Sequence, residues 1–254
     1  MKTRVIFSAL FLSAMLWSPT ASADEKDKRV TWQPASSGSC ENCNLFGRQM
    51  PFWDVSNAHY NNANLSHASF HGAKADGAVF DGSMARYVDF SRAKINNAQF
   101  VGATLKAANF SDTVANGANF TKANMDASDY RNAKLVGAIF TEISARKISA
   151  QGADFSAANL TGAVLDAANL SGAVFDGALL AGTSFNQSNL QGASFRDARL
   201  LGAKLAGALN YLSADFSGAC KSSATTLPTD LKLPSCEVQG RDVTAIAFTQ
   251  PGAQ

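Results

Sequence analysis

Imidazole and thiol groups are the most chemically versatile side chains of this sequence, and each type is clustered. All three histidines, His59, His67 and His71, lie within thirteen residues. Imidazole is the commonest metal ligand in proteins, so the cluster raises the hypothesis of a metal centre. Whether these side chains meet depends on the elements that carry them.

The four cysteines form two sequence-local pairs, Cys40 with Cys43 and Cys220 with Cys236. The Cys-x-x-Cys spacing of the first pair also occurs in thiol–disulfide redox sites, within the strand–helix context of a thioredoxin-like fold. That context is absent from this sequence, which favours structural disulfides. Four cysteines allow three connectivities, and their spacing alone does not choose among them.

Residues 1–23 have the pattern of a secretory signal peptide. Lys2 and Arg4 begin it, the apolar stretch VIFSALFLSAMLW follows, and the small residues ASA end it at Ala23. The apolar stretch is short for a membrane span, and no second one follows. We therefore expect cleavage near Ala23 and a periplasmic or secreted protein without a membrane span, in a compartment where disulfides form.

Cleavage there also changes the charge of the chain. Removal of Lys2 and Arg4 lowers the number of Lys and Arg residues from 22 to 20, equal to the 20 Asp and Glu residues. A mature chain with a net charge of about zero has no long-range attraction for nucleic acid or an anionic membrane. The composition therefore argues against a nucleic-acid partner.

A five-residue period decides which elements position these side chains. From Tyr60 to Leu205, 21 of the 30 residues whose number is divisible by five are Leu or Phe, and Ala lies two places before 22 of the 30. Steps of five residues turn about 140° on an α-helix and alternate between the faces of a flat strand. Neither element buries all the large residues on one side. A fixed period instead indicates a solenoid of stacked units.

The period also assigns a role to each position of the unit. Residues two apart in an extended segment point the same way, so each Ala and the following Leu or Phe face inward together. A narrow lumen has room for the large side chain only if its inward neighbour is small. Glycine often lies two places after the large residue, as at Gly72 and Gly137, where a tight turn needs a positive φ.

The segments GANF (117–120) and AANL (157–160 and 167–170) resemble the A-(D/N)-(L/F)-X-X motif of the pentapeptide-repeat family. The resemblance extends over at least residues 56–205. It implies an all-β fold, a right-handed quadrilateral β-helix with four pentapeptides in each coil of twenty residues. Its coils would stack at about 4.8 Å, the spacing of neighbouring strands.

The pattern divides the chain into a signal peptide (1–23), a flexible leader (24–39), the β-helix (40–216) and an irregular C-terminal cap and tail (217–254). After Leu205 the five-residue register shifts, which indicates a distorted last coil. The coil geometry also separates the two cysteine pairs by roughly 35–40 Å. Because a disulfide needs Cα atoms within about 7 Å, we expect each pair to close on itself, fastening one end of the solenoid.

Residues 141–150 exchange the sizes of the inward side chains. Ile143 and Ile148 occupy the slots of small residues, and Ala145 and Ala150 those of large ones. The inward volume is roughly conserved, which cores tolerate well. We therefore expect a locally reshaped coil rather than a functional notch.

The geometry of the twenty-residue coil argues against a metal centre at the three histidines. They would lie on different sides of one turn, and the residues stacked above them, Val79, Tyr87 and Ser91, are not metal ligands. No Ser/His/Asp or paired-carboxylate constellation stands out among the outward positions. The sequence therefore predicts no catalytic residue, no metal and no cofactor.

One outward column of the predicted coil carries three lysines. Lys74, Lys94 and Lys134 share it, interrupted by Val114. Solvated surface charge is one interpretation of the column. The sharper hypothesis is a partner-binding strip that docks an acidic protein.

These observations favour an exported, non-enzymatic interaction or scaffold protein, with an unidentified protein partner. A homodimer formed through one end of the solenoid is an alternative. Recognition would depend on the outward polar residues between the inward ones, and examples are Asp154, Asn159, Asp166 and Asp176.

Two other classes of function compete with a scaffold. A carbohydrate-binding or carbohydrate-active β-helix would need clustered acids or exposed aromatic residues on one face, and Tyr87 alone is insufficient. A DNA mimic that protects a topoisomerase, as in some members of the family, would need a strongly acidic surface and a cytoplasmic location. Neither is predicted for this chain.

Overall fold

The computed structural model describes residues 39–236; residues 1–38, among them the predicted signal peptide, and residues 237–254 lie outside the described residues. Parallel β-bridges join residues twenty positions apart in four columns, which start at Asn44 (side A), Gln49 (side B), Asp54 (side C) and His59 (side D). The chain visits the four sides in this order. The predicted four-sided β-helix with twenty residues per coil is therefore confirmed.

A β-turn follows each large inward residue and forms a corner between two sides. In a typical corner the amide of the small inward residue donates to the carbonyl three residues earlier, as Ala63 N does to Tyr60 O (3.1 Å). Every fifth residue from Asn42 to Gly202 has a positive φ. This residue is the third of the turn, as in a type II turn, which explains the frequent glycine in this position.

Longer elements lie near the C-terminal end of the described residues. Strands β1 (Arg199–Leu200) and β2 (Cys220–Lys221) pair in parallel. The 3-10 helix Tyr211–Ser213 lies between them in the chain. It adds a residue to the coil, so Ser194 pairs with Asp215 at an offset of 21 rather than twenty.

Stacking continues past residue 216, where the sequence placed the end of the β-helix. Lys204 pairs with Thr226, and Lys221 pairs with Ser235. The polar segment after residue 220 therefore covers the last coil by adding further bridges to it.

Two aromatic ladders fill the N-terminal half of the lumen from opposite sides. The ladder of side D runs from Tyr60 to Phe140, with successive ring centroids 4.7–5.1 Å apart. The ladder of side B runs from Phe70 to Tyr130, with centroids 4.7–5.2 Å apart. Rings of the two ladders meet edge to face, as Phe70 and Phe80 do at 5.6 Å. Both arrangements are favourable for aromatic quadrupoles, and the rings are buried.

The ladders change sides at residues 141–150. The four residues with exchanged sizes are all buried: Ile143, Ile148, Ala145 and Ala150. Beyond them a new ladder runs on side C from Phe155 to Phe216. Phe140 meets Phe155 edge to face at 5.6 Å and so connects the old stack to the new one.

Both predicted disulfides are present, one at each end of the described chain. The Cα atoms of Cys40 and Cys43 are 5.6 Å apart, and those of Cys220 and Cys236 are 4.8 Å apart. The second disulfide ties β2 to the end of the covering segment. No cysteine of the described residues is free.

Phe110→Asp tests the assignment of the residues whose numbers are divisible by five to the lumen of the coil. Phe110 is fully buried between the rings of Phe90 (5.2 Å) and Tyr130 (4.8 Å). Loss of the ring together with burial of an unpaired carboxylate should lower the free energy of unfolding by roughly 4 kcal/mol or more. Phe110→Leu, which keeps an apolar side chain, should cost only about 1 kcal/mol. Thermal unfolding of both variants measures the difference, and an unchanged Tm for Phe110→Asp would contradict the assignment.

Candidate functional site

Outward carboxylates and amides hold the corners of the coil. In a typical pentapeptide, four amides donate to backbone carbonyls, whereas the amide directly after the large inward residue does not. Side chains accept from it instead. Asp154 Oδ1 accepts from the amide of Ser156 (2.9 Å), and Asn159 Oδ1 accepts from that of Thr161 (3.0 Å).

Acids at the corners accept the corresponding amide of the next coil, twenty residues later. Asp166 Oδ1 accepts from the amide of Asn186 (3.2 Å), and Asp176 Oδ1 accepts from that of Arg196 (3.1 Å). Satisfying a backbone donor in this way is a structural role. The polar residues that the sequence offered for recognition are therefore engaged in holding the turns.

The three histidines lie apart, on different parts of the coil, as the sequence predicts. His59 lies in the column of side D. His67, at the corner between sides A and B, stacks on Tyr87 (4.9 Å between ring centroids). His71, at the corner between sides B and C, places Nδ1 2.8 Å from Ser91 Oγ. Within residues 39–236 no group of three potential metal ligands is brought together.

Lys74, Lys94 and Lys134 form the lysine strip, an exposed row in the column of side C. Lys74 is bridged directly to Lys94, and Val114 separates Lys94 from Lys134. In the described part of the chain, no carboxylate lies within 4 Å of these three ammonium groups. The strip is a row of positive charge with an acid bridged to each end, Asp54 to Lys74 and Asp154 to Lys134.

Phe46 and Phe52, near the N-terminal end, were missed in the sequence, which pointed only to Tyr87. Phe46, Phe52 and Tyr87 are 57%, 73% and 58% exposed, and Met84 is 53% exposed. Each of the three rings follows an inward residue by one or two places, at a corner of the coil. A signal was available, because bulky apolar residues at a corner position depart from the repeat.

The family model for pentapeptide repeats matches the chain in eight copies, which together span residues 54–209. The chain is a pentapeptide-repeat protein. The fold of this family is a right-handed quadrilateral β-helix, so the predicted handedness holds as well. In the part of the chain that the structure describes, no helix is long and apolar enough to cross a membrane.

Two solved pentapeptide-repeat structures illustrate the likeness. A trypsin-treated variant of QnrB1, a plasmid-mediated fluoroquinolone resistance protein, is 22% identical, with a TM-score of 0.59 over 78% of this chain and 89% of that chain. HetL, involved in heterocyst differentiation regulation in the cyanobacterium Nostoc sp. strain PCC 7120, is 23% identical, with a TM-score of 0.31 over 75% of this chain and 90% of that chain. No curated protein gave a significant match. At these identities the likeness to QnrB1 shows the fold alone.

Asp215 gives the last coil a defined response to acid. Hydrogen bonds from Ser217, and then the hydrogen bond and charge of Arg196, hold the pKa of Asp215 at about 2, below its ordinary value of 3.8. The ionised carboxyl therefore favours folding, fully above pH 3.8 and progressively less as the pH falls toward 2. We expect Asp215→Asn to have a lower Tm than the wild type at pH 7, with the two curves converging between about pH 4 and 2. A constant difference in Tm over that range would contradict the assignment.

Proposed function

We propose that this pentapeptide-repeat protein is an exported, non-catalytic scaffold that binds an acidic protein along the lysine strip. The observation that carries the proposal is the direct bridge between Lys74 and Lys94. Like charges opposite one another on neighbouring strands are destabilising. No counter-charge lies within 4 Å among the described residues, and the acids of the same column are Asp54, bridged to Lys74, and Asp154, bridged to Lys134. Solvent, salt or a partner must relieve the repulsion that remains.

The rigidity of the coil supports a docking role. The amide of Lys74 donates to Trp53 O (2.8 Å), and the amide of Lys94 donates to Ala73 O (2.9 Å). Both lysine backbones are therefore fixed by the ladder, and only the side chains must be ordered on binding. Pre-organisation of this kind lowers the entropic cost of association.

A non-catalytic role agrees with the engagement of the outward acids. Asp154 and Asp176 accept backbone amides, as described above, and act as turn caps rather than as acids or bases. DNA mimicry is disfavoured by the charge, since without Lys2 and Arg4 the 20 Lys and Arg residues equal the 20 Asp and Glu residues, and the surface is not strongly acidic. A protein that presents a row of lysines does not imitate a polyanion.

Export is the first part of the proposal to test. It depends on residues 1–23, which lie outside the described residues. We expect the protein from a cell envelope or culture-supernatant fraction to begin at or near Asp24, as determined by N-terminal sequencing and intact mass. A variant that lacks residues 2–23 should stay in the cytoplasm. Full-length protein found only in the cytoplasm would contradict export.

Photocrosslinking tests the lysine strip in place. A photoreactive amino acid at Val114 lies between Lys94 and Lys134 and leaves all three lysines intact. We expect it to capture an acidic protein in the exported fraction. The same amino acid at Val164, on side A, is the matched control and should not capture it.

Charge substitutions then test whether the three lysines bind the crosslinked partner or only lie near it. Replacing Lys74, Lys94 and Lys134 by Ser should reduce that crosslink at least fivefold without lowering the Tm. Replacing Lys122, Lys147 and Lys204 by Ser removes the same charge from other parts of the surface and should leave the crosslink unchanged. Equal loss in both triple variants would mean that net charge, and not the strip, attracts the partner.

A further inference from the structure

Aromatic rings line both corners of side B in the first three coils. At the corner between sides A and B, His67 contacts Phe46 (5.2 Å between centroids) and stacks on Tyr87 (4.9 Å, with ring planes 17° apart). At the corner between sides B and C, Phe52 meets His71 edge to face (5.4 Å). We call these two groups the aromatic corners. Side B between them forms a polar strip with aromatic borders.

Three of these rings lie where the backbone disfavours them. Phe52, His67 and Tyr87 have φ values of 60°, 60° and 57°. Of the 33 positive-φ positions from residue 42 to residue 202, 14 are Gly and five are Asn, and no others carry a ring. A bulky side chain is strained in this conformation, and such outliers cluster at binding sites. Glycine or asparagine would serve the turn with less strain.

Burial does not account for these rings. More than half of the surface of Phe52 and of Tyr87 is open to solvent, so the rings contribute little to the core. Phe52 does cover Gly72, since a Cβ built on that glycine would lie 2.6 Å from Phe52 Cε1. Most of the ring surface nevertheless stays free for a ligand.

Two arginines flank side B. Arg86 precedes Tyr87 at one corner, and Arg92 lies one coil above Gly72 at the other. Both are exposed, and neither guanidinium forms an ion pair or hydrogen bond with another residue of the described range. Asp89 lies in the column between them, where its Oδ1 accepts from the amide of Ser91 (2.9 Å), and Asp112 lies one coil above Arg92.

We propose that side B of the first three coils, together with the aromatic corners, binds an anionic polysaccharide. The apolar C–H face of a sugar ring packs on an exposed aromatic ring, as other apolar surfaces do. Sugar hydroxyl groups hydrogen-bond to Gln49 and Ser69 in the column of side B. The guanidinium groups of Arg86 and Arg92 bind uronate carboxylates in bidentate fashion. The site lies on a different side from the lysine strip and does not depend on it.

Affinity electrophoresis and calorimetry with polygalacturonate test the site on the mature protein, residues 24–254. The wild type should bind this polymer and bind its fully methyl-esterified form at least tenfold more weakly, because esterification removes the carboxylates but keeps the rings. Arg86→Gln combined with Arg92→Gln should abolish the preference between the two polymers.

Asparagine substitutions separate binding from folding. Phe52→Asn combined with Tyr87→Asn should weaken binding of polygalacturonate at least tenfold while leaving the Tm equal to or above that of the wild type, since Asn is common at positive φ in this coil. Leu212→Asn removes an exposed apolar side chain at the far end and is the matched control. It should bind as the wild type does, and so should the triple Lys→Ser variant of the lysine strip.

Three outcomes would overturn the proposal. The first is that the wild type does not bind polygalacturonate. The second is that the Phe52/Tyr87 variant binds as tightly as the wild type. The third is that polyglutamate or single-stranded DNA binds equally well and with the same dependence on these rings, because the site would then recognise another class of polyanion.

Discussion

The constant cross-section of the lumen is the constraint on which the rest of the structure depends. Each side of a coil contributes one large and one small inward side chain, and every coil must fill the same space as the coil below it. Where Ile143 and Ile148 enlarge the small slots, Ala145 and Ala150 shrink the large ones, and all four remain buried. The aromatic ladders can therefore change sides, because packing conserves volume rather than the identity of a column.

A second constraint follows from the first, since a side of five residues needs a turn at each corner. The turn leaves one amide without a backbone acceptor, and Asn or Asp before the large residue supplies one, as Asn159 does for Thr161. Some inward hydroxyls meet the same requirement: Thr113 Oγ1 donates to Phe90 O (2.8 Å) and Ser188 Oγ to Leu165 O (2.6 Å). Those of Tyr60, Ser83 and Tyr130 are buried without a hydrogen-bond partner among the described residues. The inward residues of the family motif thus fill the lumen, and its polar residue supplies a hydrogen-bond acceptor for the amide of the turn.

These constraints explain what could be predicted from the sequence. The inward positions follow from a period that every unit repeats. The coil of twenty residues, and with it the pairing of the cysteines, is what the resemblance to the pentapeptide-repeat family implies. The residue added by the helix Tyr211–Ser213 could not be placed, because it interrupts the period and is fixed by contacts between coils. The aromatic corners were missed for another reason. Phe46 and Phe52 lie in the N-terminal coil, where Arg48 and Trp53 occupy the slots of small inward residues, so a bulky residue at a corner does not stand out as a single departure from the repeat.

Both proposed surfaces lie where the chain departs from its local rules. Gly or Asn occupies 19 of the 33 positive-φ positions from residue 42 to residue 202, yet Phe52 and Tyr87 occupy two of the others with most of their surface exposed. The ladder favours unlike or neutral neighbours, yet Lys74 is bridged to Lys94. Each departure lowers the local stability of the coil, and the exposed rings gain little burial in return. In a protein whose other outward polar residues largely serve its turns, such departures are the best indication of selection for binding.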